Sequence, residues 1–152
     1  MKKILIIILL CAINSKVNAE LLKPSPILKP SEIIMIQLKA LNNNDYPIKD
    51  FGILQTWEFA HPNNKKFTGP LERFKNLLNS DAYSMMLNHI DHKIIVVKTT
   101  DSKAAYEVTI LGEEKNYYKF RWIVEKYDIE GPLKDCWLTT AVSQPVSLGS
   151  SI

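Results

Sequence analysis

The chain has 152 residues, a length for one domain, and only two cysteines, Cys11 and Cys136. Its 19 basic and 16 acidic side chains give a net charge of +3. Lys2, Lys3 and Lys16 lie within the first nineteen residues, and beyond them sixteen of each sign remain, so no basic excess is left for phosphates. Nucleic acid and anionic membrane surfaces are thereby excluded as expected partners.

Lys2 and Lys3 precede an uninterrupted apolar run from Ile4 to Ile13, which Asn14-Ser15-Lys16 breaks. Val17-Asn18-Ala19 follows with the compact residues a signal peptidase reads. Residues 1–19 are therefore expected to be a cleavable secretory signal. The apolar run is too short to cross a ~30 Å hydrocarbon core as a helix, so no transmembrane anchor is expected after cleavage. Leu10 stands where lipid attachment at Cys11 would need a small residue. The expected destination is the periplasm or the cell exterior. Cys136 then has no internal partner, and the adjoining Trp137 and Leu138 place its thiol in the core.

Pro24, Pro26 and Pro30 mark residues 20–30 as an extended, proline-rich leader. A single domain is expected over 31–145, with a flexible tail over 146–152. Ser31 reads as the cap of a helix with an apolar stripe at Ile33, Ile34, Leu38 and Leu41. Asn42-Asn43-Asn44-Asp45 and Pro47 end it. Gly52 to Ala60 suits a short helix that Pro62 stops, leaving Asn63-Asn64-Lys65-Lys66 as a turn. Thr68-Gly69-Pro70 reads as a helix start with Pro70 at the first position, followed by Leu71, Phe74, Leu77 and Leu78 at helical spacing. Ser80 or Asp81 would cap a further short helix carrying Tyr83, Met86, Leu87 and Ile90 on one face.

Beyond His92 the period changes to that of strands. Ile94 to Val97 is a β-branched run, and Ala104, Tyr106, Val108 and Ile110 alternate with their neighbours. Tyr118, Phe120, Trp122 and Val124 alternate against Lys119, Arg121 and Glu125. Cys136 to Val142 reads as the last strand. Helices first and antiparallel strands second predict an α+β fold, with the helices gathered on one face of the sheet.

Three stretches carry a resemblance. Gln37 to Asp45 is similar to the end of a first helix. Trp57 to Lys65 with Thr68-Gly69-Pro70-Leu71-Glu72-Arg73-Phe74 is similar to a central motif, and Tyr83 to His89 with Cys136 to Thr139 to later segments. Together they resemble an uncharacterised group of the nuclear-transport-factor-2-like (SnoaL-like) superfamily. That resemblance implies a cone-shaped, cystatin-like arrangement, in which a curved antiparallel sheet wraps N-terminal helices around an apolar pocket. The chain has His61 where the motif commonly has serine. Members of the superfamily include enzymes, carriers and inert dimerisation modules, so the fold transfers no function.

His61 with Glu58 is the first chemical candidate, a general base oriented by a carboxylate. The alternative is a loop histidine beside a turn. Asp91 is a second candidate proton acceptor. Arg73 could clamp a carboxylate bidentately or hold the carbonyls of the preceding Asn-rich turn; the second, structural role is favoured, together with Thr68, Gly69 and Pro70. His89 and His92 at i, i+3 are weak metal candidates, because a zinc site wants three or four protein ligands. Trp57, Phe74, Met86, Tyr118 and Trp122 are expected to line a pocket, or to be plain core. No phosphate-binding glycine loop, nucleophile elbow, H-E-x-x-H or C-x-x-C motif is present, and no cofactor is expected. The leading expectation is non-catalytic binding of a small apolar molecule or a protein partner between helices and sheet. The alternatives are a lyase or isomerase using His61 or Asp91, and a homodimerisation module.

Overall fold

A computed structural model of the chain describes residues 20–150. The signal-peptide expectation falls on residues 1–19 and lies outside the described residues. Helices α1 (Pro30–Asn42), α2 (Phe51–Glu58), α3 (Pro62–Thr68) and α4 (Leu71–Leu78) come first, followed by a 3₁₀ turn at Ser84–Met86. Strands β1 (Asp91–Thr99), β2 (Lys103–Leu111), β3 (Asn116–Lys126), β4 (Trp137–Val142) and β5 (Val146–Ser150) complete the described chain. The fold is α+β with an antiparallel five-stranded sheet. β1, β2 and β3 pair in sequence order, and the far edge of β3 is shared by β4 and β5.

The apolar stripe of α1 is wholly buried: Ile33, Ile34, Leu38 and Leu41 are inaccessible to solvent. The helix begins two residues earlier than a cap at Ser31 implies, with Lys29 at the N-cap. Pro30 takes the first position, where its missing N–H removes no helical bond. The N–H of Lys29 donates to the Glu32 carboxylate at 2.6 Å. At Pro70 the expectation shifts the other way, since Pro70 is itself the N-cap and the helix opens at Leu71.

The expected turn at Asn63 to Lys66 is instead helix α3. Pro62 starts it rather than stopping its predecessor, and the His61 ring caps it by accepting the Asn63 N–H at 3.0 Å. The expected helix from Ser80 to Ile90 shrinks to one 3₁₀ turn, with Met86 buried and Ile90 exposed.

Gly52 fixes how α1 meets α2. A Cβ there would lie 2.3 Å from the Ala40 carbonyl oxygen, so the two backbones approach at a distance only glycine allows. The leader is bound to α2 by Gln55, whose side chain accepts from the Leu22 N–H at 2.8 Å and donates to the Leu22 carbonyl at 2.9 Å. One amide thus supplies the leader with a pair of ladder-like bonds.

In the sheet, Ala104, Tyr106, Val108 and Ile110 of β2 and Phe120, Trp122 and Val124 of β3 turn inward and are buried. Arg121 points outward, across from Glu107. β1 lies at an edge, so Ile95, Val96 and Val97 of its β-branched run are exposed. Cys136 is a buried free thiol, in agreement with its apolar neighbours. Residues 146–150 of the expected flexible tail form strand β5, whose residues are all exposed and which is held to β3 by backbone pairing.

An irregularity in β4 shapes the inner face of the sheet. Val142 pairs with Trp122 and Thr139 pairs with Val124, with Thr140 as an extra residue between the two registers. In a regular strand, residues three apart face opposite sides. The bulge brings Thr139 and Val142 to the same inner face.

Candidate functional site

A small pocket of about 80 Å³ lies between the helices and the inner face of β3 and β4. Its apolar wall includes Phe74 and Leu77 of α4, Met86 of the 3₁₀ turn, Trp122 of β3 and Val142 of β4. The rest of the lining includes polar side chains: Gln37 of α1, Thr56 of α2, Asn64 and Thr68 of α3, and Thr139 of β4.

Those polar side chains are already bonded to their neighbours. Thr139 Oγ1 donates to Gln37 Oε1 at 2.6 Å and accepts from Trp122 Nε1–H at 3.2 Å. Gln37 Nε2 donates to the Thr56 carbonyl at 3.1 Å, and the Thr56 hydroxyl donates to the Gly52 carbonyl at 2.8 Å. Asn64 donates to the Thr139 carbonyl at 3.3 Å, and Thr68 donates to the Asn64 carbonyl at 2.9 Å. Among the described residues no buried side-chain nitrogen or oxygen lacks a partner. The network therefore stands without a ligand, and it orients Trp122 over the pocket. Tyr83 also lines the pocket, and its hydroxyl bonds to no described residue. Burial raises its pKa, so the phenol stays protonated and can donate.

Of the five expected pocket residues, Phe74, Met86 and Trp122 line this space and two do not. Trp57 stands behind Phe74, ring centroids 5.0 Å apart, with the Lys65 ammonium over its face. Tyr118 belongs to a separate shallow cleft beside Glu113 and Glu114. In the central motif, Thr68 lines the pocket, and Gly69 leaves room for Trp57, whose ring a Cβ would meet at 2.9 Å. Arg73 is exposed and holds no described turn carbonyl, so its structural role is not observed.

Gln37, Thr56, Asn64, Tyr83 and Thr139 are additions that sequence reasoning passed over. Gln37 carried a readable signal, a polar residue three and four positions from Ile34 and Ile33 inside an apolar stripe.

The proton-transfer candidates lie elsewhere and apart. His61 faces a wider, open cleft with Lys66, Lys103, Glu125, Tyr127 and Asp128, and its ring meets Tyr127 edge-on at 5.4 Å. Because Nδ1 accepts the Asn63 N–H, a neutral His61 carries its proton on Nε2. It offers the cleft a donor, whereas a general base needs a lone pair there. Burial lowers its pKa, against the opposing charges of Glu125 and Asp128. Glu58 does not orient it: that carboxylate pairs with Lys23 of the leader at 2.9 Å. Asp91 is exposed on β1 and accepts the His92 N–H at 2.9 Å.

His89 and His92 do meet, Nε2 to Nδ1 at 2.8 Å. Nitrogens that face each other do not converge on a metal. Among the described residues no group of three or more His, Cys, Asp or Glu side chains is placed to hold one. Comparison with protein families, with characterised proteins and with solved structures finds no match to this chain.

Proposed function

We propose that the chain is an exported, non-catalytic binding domain that takes the apolar end of a small molecule into the pocket between helices and sheet. The supporting observation is the lining chemistry, apolar side chains of Phe74, Leu77, Met86, Trp122 and Val142 together with polar side chains already bonded to their neighbours. Such a lining accepts an apolar group without stranding a donor or acceptor. Tyr83 supplies one hydrogen bond to the occupant's polar end.

The space sets the scale. At about 80 Å³ the pocket is below the ~150 Å³ of an engineered apolar cavity that takes benzene. The occupant enters by a short alkyl terminus, and an aryl ring requires α4 to move outward. The order of helices and antiparallel strands fits the nuclear-transport-factor-2-like cone that the sequence resembles, and that resemblance is part of the proposal. Export is supported by Lys2, Lys3 and the apolar run behind them. A catalytic reading finds less support, since His61 and Asp91 share neither this pocket nor each other's surroundings.

The test uses xenon and benzene as probes, read by NMR at the Met86 methyl and the Trp122 indole N–H. Saturable shifts at both positions are expected, and they should vanish in Leu77→Phe, which fills the space. Shifts that are absent, or unaffected by Leu77→Phe, would overturn the assignment of the site.

A further inference from the structure

We propose that His89 and His92 form a proton-operated latch on Met86, a residue that lines the pocket. The hydrogen-bond chemistry determines where the protons sit. His89 Nδ1 lies 2.7 Å from the Met86 carbonyl, which can only accept, so His89 Nδ1 carries a proton. When that ring is neutral its Nε2 holds a lone pair. The 2.8 Å contact then requires His92 Nδ1–H to donate to it. The result is a directed chain, His92 to His89 to the Met86 carbonyl, with the free lone pair at His92 Nε2.

The surroundings are mixed. From α1, Lys39 opposes protonation of His92, and the Asn42 amide donates to the His89 carbonyl. From β1 itself, the exposed Asp91 carboxylate favours protonation of both rings. From β2, the residue paired with His92 is Ile110, which does not titrate. Met86 contributes the carbonyl, and its side chain lines the pocket.

Two protons therefore have different effects. The first binds His92 Nε2 and leaves both hydrogen bonds intact, the one between the rings now charge-assisted. The second must go to His89 Nε2, where it sets N–H against N–H. It also places a second imidazolium in a residue only 1% exposed. The inter-ring bond breaks, His89 leaves its seat, and Met86 loses the donor that fixes its carbonyl. Acid thus loosens one wall of the pocket. The link to ligand release rests on the proposed binding function, whereas the latch itself does not.

The experiment is a titration of the ¹⁵N-labelled, Met-methyl-labelled chain from about pH 8 to about pH 4, with and without benzene. Long-range ¹H–¹⁵N spectra should show Nδ1–H on both rings at the alkaline end. His92 should titrate first with the Met86 methyl unmoved. His89 should follow with a shift of that methyl while the backbone amides stay dispersed, and benzene affinity should fall about tenfold over the second step. His92→Phe should abolish the two-step pattern, and if that variant does not fold the wild-type titration decides alone. An Nε2–H tautomer on either ring overturns the latch. So does independent titration with Met86 unmoved, or a Met86 change that coincides with global unfolding. Should benzene bind at no pH while both steps persist, the latch stands and the binding function falls.

Discussion

At the scale of single residues, Thr139 serves the pocket through both its side chain and its backbone. Its hydroxyl joins Gln37 to Trp122, its backbone N–H donates to the Phe59 carbonyl, and its own carbonyl accepts from the His61 N–H. Thr139→Val keeps the shape and the backbone bonds but leaves Gln37 Oε1 and Trp122 Nε1–H without their partner. Unmet buried polar groups are expensive, so a loss of about 2 kcal/mol is expected in urea unfolding, with the m-value unchanged. Thr139→Ser retains the hydroxyl and should cost about 1 kcal/mol or less, the worth of one buried methyl. Equal losses in the two variants would show that the methyl, and not the hydroxyl, matters.

Among the elements, α4 is a lightly anchored wall of the pocket, with only Phe74 and Leu78 buried. Phe74→Ala removes both a pocket wall and the ring against which Trp57 packs. A cost of about 3–5 kcal/mol is expected, together with binding of indole that the parent excludes, measured as a rise in Tm on adding indole. Loss of stability without indole binding would mean that the helix collapses into the space. The elements differ in how far the sequence reveals them. The stripe of α1 and the alternation of β2 and β3 are periodic, and periodicity survives without knowledge of tertiary contacts. Helix α3 is concealed because a proline reads equally as a stop for one helix and a start for the next. Strand β5 has all five residues exposed and no inward face, so only its pairing to β3 identifies it. The apolar half of the pocket is readable in part from aromatic positions. The polar half is not, because Thr139 and Val142 share a face only through the extra residue Thr140. The directions of the His89 and His92 nitrogens are likewise a matter of ring geometry, which i, i+3 spacing does not supply.

For the molecule as a whole, acidity is the condition to which the fold is most exposed. Residues 20–150 carry equal numbers of basic and acidic side chains, so global charge repulsion is small near neutral pH and local groups decide. All three histidines have pKa values lowered from the ordinary value, with burial the largest cause in each. A histidine held neutral when folded takes up its proton on unfolding. The unfolded chain therefore binds more protons than the native one below the ordinary histidine pKa of about 6.5. Stability is fully present above that pH and is lost as the pH falls through it toward the lowered native values. Each histidine that stays neutral contributes at most ~1.4 kcal/mol per pH unit of fall. Urea unfolding at a series of pH values should give a flat plateau above about pH 7 and a steep decline below about pH 6. His61→Gln should reduce the slope without removing it, because the pair at His89 and His92 remains. A stability profile level down to about pH 5 would mean that the rings are hydrated in the native state, and it would remove the physical basis for the latch as well.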